Sequence, residues 1–505
     1  MRLTVTQRNT LSKLAVLACL LSGAGILRAQ EDLGQKSQQA QQAMAAGQFS
    51  EAAALYRELV QALPDNPRLR LDLGLALHSE GKYEEAVGQF QAALRRDANL
   101  EPAWLMLGLS DLELNRPQDA VQPLLRVLRS DPQNERARLK LADAYLAIGK
   151  SQEAGKEFES VTKSNPANPK GWQGLGLSDA GLSRQVFGRL ENLDANSPYR
   201  DALLAQSLAA RGQDRTAFYW YKQALAKDSH LPGVHAALAA IYRRAGHPDW
   251  AAIEETRERE QGKPDCRQAS LECDLLASRF SDVIALASQE EQPVALYWEA
   301  QAYEQLSARA LARLAAMPPS PEVHELMAQA DVTKGDYHAA VGEWTEALRL
   351  APQEPGLKQG LAYALWLDGS YRQAQPLLAQ LLETNPQSPE IHFELGDCLL
   401  AQGSADKAIS QLEEAVKLDP ALTPAQASLG RAYLRVGRAQ DAIAHLKAGL
   451  AADEKGTALY DLAQAYREAG QKTLADETLR KFQQNSSTAL ARSHEMDREH
   501  EITAP

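Results

Sequence analysis

Several things are scarce in this 505-residue chain, and each scarcity excludes something. Aromatic residues are only 6%, and β-branched residues yield to Ala and Leu, which argues against a sheet-built core and for helices. No block of Lys or Arg interrupts the sequence and the formal net charge is −12, so the electrostatic footprint of a nucleic-acid binder is missing. The acidic balance reads as a solvated, soluble surface. Beyond the N-terminus no apolar run is long enough to span a bilayer, which takes roughly 20 residues. Gly149-Lys150-Ser151 is not a phosphate loop, because Ala144 stands where the first glycine is required, and there is no Gly-x-Ser-x-Gly elbow. Gly174-Leu-Gly176 has no strand before it, and Gly181 breaks the spacing of a dinucleotide loop. His494-Glu495 opens like a zinc-protease helix, but Arg498 stands where the second His is required. Cys and His show no metal spacing. The expectation is therefore no catalytic residues, no metal and no cofactor.

Cysteine is rare too, with four in all. Cys266 and Cys273 are seven apart, about 10 Å along a continuous helix and too far for a disulfide there. Pro264 allows Cys266 to leave the helix, so a bridge and two free thiols are both open. Cys398 falls inside a helical pattern and reads as a small buried hydrophobe. Cys19 sits inside the apolar run of the N-terminus, which continues past it, so it is not read as a lipid-attachment site.

What is present begins with Arg2, Arg8 and Lys13, an apolar run from Leu14 to Leu27, and Leu27-Arg28-Ala29 before a polar stretch. That order predicts a secretory signal peptide over 1–29, hence an exported, periplasmic or secreted protein without an integral span after cleavage. An uncleaved anchor is the alternative.

Beyond it a period dominates. Ala52, Ala86, Ala120 and Ala154 are 34 residues apart, as are Ala340, Ala374, Ala408 and Ala442. Pro64, Pro132 and Pro166, with Ala98 in the missing place, and then Pro352, Pro386 and Pro420 keep the same step. Twelve residues before each Ala stands a small residue: Ala40, Gly74, Gly108, Ala142, Ala328, Ala362, Gly396 and Gly430. Within one period, the stretch Pro389 to Gly403 has helical apolar spacing and closes on a glycine. A second helical stretch ends at Asp419-Pro420, because proline cannot continue a helix and restrains its predecessor. The small residues let the paired helices cross closely. Large ones such as Tyr56, Phe90, Trp104, Phe158, Trp344 and Leu412 fill the gaps beside them, and each pair must stack on the next to cover them.

In period, in the alternation of small and large residues and in the closing Pro, as in Trp104…Leu107-Gly108…Ala120…Pro132, the chain resembles the tetratricopeptide repeat (TPR) family. The resemblance implies an all-α fold, a right-handed α-solenoid superhelix of tandem helix-turn-helix units. Twelve units begin near Leu33, Pro67, Glu101, Glu135, Pro169, Pro198, Pro232, Pro321, Pro355, Pro389, Thr423 and Gly456. They divide into an N-terminal array over 30–246, degenerate helical repeats over 247–320, a C-terminal array over 321–489 and a flexible tail over 490–505. After Gly181 the second helix of its unit is expected to be short and disturbed. In the degenerate stretch, Ala269 to Ser288 and Val294 to Met317 are expected to form two short helical pairs.

The resemblance also implies that positions two, five, nine and twelve of each unit line a groove that binds a protein or peptide partner. Those positions place Leu71, Leu75, Leu105, Leu109, Leu112, Leu139 and Leu146 in one apolar group, and Tyr363, Trp366 and Phe393 in a second. Packing of the leucines between neighbouring repeats is the competing reading. Arg431, Arg435 and Arg467 add a basic stretch suited to an acidic segment. The family's carboxylate clamp is not expected, because position nine carries Gln41, Leu75, Leu109 and Asp143 where it needs Asn. The function implied is a non-enzymatic interaction scaffold in the bacterial cell envelope. The alternatives are a periplasmic subunit of an export or polysaccharide-secretion assembly, and an enzyme with its site in 247–320.

Overall fold

The computed structural model describes residues 32–352, 354–453 and 456–505. The expected signal peptide, 1–29, lies outside them. Among the described residues there are 26 α-helices and no strand. No helix there is long and apolar enough to cross a membrane. The chain divides into two compact units, one up to Ser178 and one from Asp179, with the division falling inside the helix Pro169–Leu193.

In the first unit, helix 32–45 and Phe49–Ala62 make the first pair. Pro67–Ser79 with Tyr83–Arg96, Glu101–Glu113 with Pro117–Ser130, and Glu135–Ala147 with Ser151–Ser164 come next. Local chemistry sets each boundary. Asn66 and Asn134 cap first helices by accepting from backbone N–H groups of the first turn, with a proline following Asn66 at N1. Asp97 and Asp131 close the turns between units, each accepting from the N–H two residues on, at 3.0 and 3.1 Å. Most turns inside a pair use a glycine at positive φ. The Glu101 unit has none there, and Asn115 takes the left-handed conformation at φ 55° instead.

The 34-residue series is the core. Ala52, Ala86, Ala120, Ala154, Ala340, Ala374, Ala408 and Ala442 are all fully buried. A Cβ on Gly74 would lie 2.5 Å from the Phe90 ring, and one on Gly108 or Gly396 would lie 2.7 or 2.6 Å from Cγ of Leu124 or Leu412. In the units where the eighth position is Ala142 or Ala328, the large side chain reaches forward. Phe158 covers Gly174 of the next unit and Trp344 covers Gly360. Close approach is thus kept as a contact while its partners change.

The second unit runs from the later part of Pro169–Leu193 through regular pairs to Lys472–Glu499, with two departures from the sequence reading. The break expected after Gly181 is absent, and Pro169–Leu193 is one helix of 25 residues. Gly181 does not take positive φ, and no proline follows it within the helix. The second expected short pair is likewise a single helix of 23 residues, Pro293–Ala315. The first short pair is present as Ser270–Leu276 and Phe280–Ala287.

These long helices meet. Ser183 donates to Glu304 at 3.0 Å, and Arg189 pairs at 3.3 Å with Glu299, which is buried. Gln301 donates to Gln206 at 2.7 Å. So 293–315 packs back on repeats about 100 residues earlier, and residues from Val186 to Ala302 share one core. A second core spans Ala328 to Ala475. Cys266 leaves the helix, as Pro264 permits, and is bonded to Cys273 across a Cα separation of 5.6 Å. Cys398 is buried, and burial pushes its thiol up to about 12.

The tail also differs from expectation. Helix Lys472–Glu499 continues through residue 490 and beyond, and the segment 500–505 packs against the first of these cores rather than fraying.

Candidate functional site

The positions that the repeat pattern assigns to a groove fare differently in the two units. In the first, Leu71 and Leu109 are buried, at 9% and 5% exposure, so their side chains belong to the core. The reason is the close stacking of successive first helices, which leaves no free face at those two positions. Leu75, Leu105, Leu112, Leu139 and Leu146 are half-buried, each packed against the core cluster of its own or the adjoining repeats. Beneath this leucine row lies Asp111, whose carboxyl is raised to about 6 by burial, with repulsion from Asp119 and Glu84 adding to it.

In the second unit the same positions converge. Tyr363 is 42% exposed and stacks at 5.8 Å on Trp366, which meets Phe393 edge-on at 5.7 Å. The three aromatics come from two consecutive first helices, Pro355–Leu367 and Pro389–Ala401. Beside them opens a cavity of about 230 Å³ lined by Trp366, Phe393, Asp397, Ala427 and Arg431, among others. A second cavity of about 260 Å³ adjoins it, shares Asp397 and Arg431, and adds Arg435 and Asp461. Trp366, Phe393, Asp397, Pro424, Ala427 and Arg431 occupy positions two, five, nine or twelve of three successive repeats. The periodic rule therefore locates this face.

Asp397 organises it. Its carboxylate accepts from Trp366 Nε1 at 3.1 Å and from the Ser428 hydroxyl at 3.1 Å. Arg431 lies 3.6 Å from the same carboxylate and donates to the Ser428 hydroxyl at 2.8 Å. The indole is thereby locked in orientation, while Arg431 remains 42% exposed and Arg435 lies on the surface. Next to Phe393, Glu394 is pushed up to about 7 by burial and by repulsion from Glu390. Asp461 is raised by burial against the opposing pull of Arg431 and Arg435. The face therefore offers a planar apolar shelf at one end and partly free guanidinium groups at the other. Asp397 was not singled out in the sequence, although its place at position nine between Phe393 and Arg431 was a usable signal.

Other charges are internally satisfied: Arg244 pairs with Asp214 at 2.6 Å, and Arg243 pairs with Glu255. Arg467 lies on the surface. Among the described residues no group of three or more His, Cys, Asp or Glu is placed to hold a metal ion.

Stacked two-helix repeats whose first helices present a shaped, mixed apolar and charged face define an α-solenoid of the protein-interaction class. Three tetratricopeptide repeat profiles match the chain, at 105–169 and 360–423, at 43–108 and 399–465, and at 457–488, together covering 43–169 and 360–488. The chain belongs to the tetratricopeptide repeat family. Among solved structures it is similar to MamA (19% identity over 34% of this chain and 94% of that one, TM-score 0.30). It is also similar to YrrB, described as a TPR protein with an unusual peptide-binding site (19%, 34% and 91%, TM-score 0.29). The Cut9–Hcn1 hetero-tetramer of APC/C matches more of the chain (14%, 92% and 95%, TM-score 0.32). No curated protein sequence matches it.

Proposed function

We propose that this chain is a non-enzymatic scaffold that binds a partner segment along the first helices of Pro355–Leu367, Pro389–Ala401 and Thr423–Arg435. The segment carries an apolar side chain for the Tyr363, Trp366 and Phe393 shelf and a carboxylate for Arg431 and Arg435. One observation supports this above others: an aromatic cluster with Tyr363 exposed and Trp366 and Phe393 half-buried shares a face with a partly free arginine, and Asp397 engages both Trp366 and Arg431 there. Apolar surface that the fold leaves uncovered, rimmed by charge, is the usual mark of a docking site. The first unit's leucines, half-buried among neighbouring repeats, are the weaker candidate.

The test is selection of peptides from a random display library on residues 30–505. Recovered sequences are expected to pair an aromatic or aliphatic residue with Asp or Glu, and to lose binding in Trp366→Ala and in Arg431→Glu. Peptides bound equally by both variants would move the site elsewhere.

We further propose that the scaffold works outside the cytoplasm, in a bacterial envelope complex, with a periplasmic export or polysaccharide-secretion assembly as one such setting. The order of residues 1–29 supports export, and the Cys266–Cys273 bond suits an oxidising compartment. A C-terminal phosphatase reporter that is active only when exported checks it, and an inactive reporter on the full-length chain would refute it.

A further inference from the structure

The segment 500–505 makes contacts far from its own repeat. Helix Lys472–Glu499 has 28 residues and spans about 42 Å, enough to carry residues 500–505 to a distant part of the same unit. Ile502 packs against the core that runs from Val186 to Ala302. The His500 ring lies 4.6 Å from that of Tyr219, on helix Asp214–Lys227. The Tyr242 hydroxyl, at the end of helix Val234–Arg244, donates to the Thr503 carbonyl at 2.7 Å. His500 and Ile502 are half-buried while Glu501 and Thr503 are exposed, the alternation of an extended strand of peptide laid on a surface.

The receiving surface is built on packed aromatics. Tyr242 is fully buried and held edge-on by Phe218 at 5.5 Å and by Trp250 at 5.6 Å. Its hydroxyl is directed at a backbone carbonyl, so recognition at this point reads main chain, with one aliphatic side chain and one ring as the specific contacts. None of these residues belongs to the Tyr363 to Arg431 face.

We infer that the surface over Tyr219 and Tyr242 is a second peptide-binding site, distinct from the first-helix groove, and that its ligand is the chain's own segment 500–505, bound in extended form in the same molecule. Covalent attachment holds this ligand at an effective concentration that a free peptide must exceed. The site is therefore closed to other extended segments until 500–505 leaves, and it then accepts a segment with an aliphatic residue two positions after a ring.

A labelled peptide of residues 498–505 is titrated by fluorescence anisotropy into the full chain and into a chain ending at Glu499. Saturable binding to the shortened chain is expected, weaker by at least about tenfold in the full chain. Tyr242→Phe in the shortened chain keeps the ring and removes one hydrogen bond, and is expected to weaken the peptide about fivefold. A peptide with Ile502→Asp is expected not to bind. Circular dichroism and thermal melts confirm that each chain is folded. No binding to a folded shortened chain, or equal binding to both chains, overturns the inference. So does a full chain that is dimeric by light scattering and becomes monomeric on removal of 500–505, since the segment would then be exchanged between copies. None of these outcomes touches the Trp366 and Arg431 reading, whose variants leave this site intact.

Discussion

Replacing Gly360 by Ala puts a methyl group 2.6 Å from Cη2 and Cζ2 of Trp344 and 2.7 Å from Cε2. An indole cannot flex away as an alkyl chain does, and Trp344 is only 6% exposed, so neither ring nor backbone has free space to move into. Overpacking of this kind costs about 1–3 kcal/mol. Against it stands the gain from removing a helical glycine, about 0.5–1 kcal/mol. The net expectation is destabilisation of up to about 2.5 kcal/mol, centred on about 1 kcal/mol. Gly342 supplies the control, because it lies in helix Tyr337–Leu350, two residues from Trp344, with nothing within 4 Å of an added Cβ. Gly342→Ala therefore keeps only the helical gain and should stabilise by about 0.5–1 kcal/mol. The two substitutions are chemically identical and opposite in sign. Urea unfolding followed by far-UV circular dichroism measures both. Native-state hydrogen exchange in Pro355–Leu367 localises the effect, since repeat arrays open in coupled local units. Trp344→Leu should relieve part of the cost of Gly360→Ala, giving a non-additive cycle of about 1 kcal/mol or more. Gly360→Ala as stabilising as Gly342→Ala, or strict additivity with Trp344→Leu, would refute the assignment of the glycine to interhelical contact.

Buried charges and the disulfide carry further expectations. Glu394, raised from its ordinary 4.5 to about 7, holds a proton in the folded chain that the unfolded chain releases. Its contribution therefore favours folding at low pH and is lost as pH rises through about 7, so Glu394→Gln should be more stable than the parent at pH about 8 and nearly equal to it near pH about 4 in thermal melts. Asp111, raised to about 6 by burial, acts in the same direction over a lower window, and Asp111→Asn should flatten the stability profile of the first unit between pH about 4 and 6. Reduction of the Cys266–Cys273 bond, which closes a short loop, should cost about 2.5 kcal/mol locally. Faster hydrogen exchange confined to 261–276 would show it, and an unchanged exchange pattern would argue against it. Arg189→Met leaves the buried Glu299 without its partner and should destabilise the 186–302 core by about 1–3 kcal/mol in urea unfolding, a loss that Glu299→Gln in the same background should partly restore.

The periodic residues carried most of the architecture. A small residue is needed wherever two helices cross, and a glycine or proline wherever one stops, so Ala120, Gly108 and Pro132 could be read as structure without any coordinates. The same periodicity led to Tyr363, Trp366 and Phe393, because the sequence positions of a first-helix face repeat with the unit. It did not distinguish Leu71 and Leu109, which are buried, from Leu105 and Leu139, which keep part of their surface, since that depends on how closely consecutive pairs stack. What sequence alone determined was everything set within one repeat: helix, turn, helix, and the alternation of small and large residues. Tertiary structure decided the contacts that span many repeats. The fusion of 169–193 and 293–315 into long helices, the return of 293–315 onto repeats a hundred residues earlier, and the seating of Ile502 and Thr503 at Tyr242 leave no local periodic trace. Their energies come from pairing buried groups such as Glu299 with partners distant along the chain, and only the folded path of the backbone brings those partners within reach.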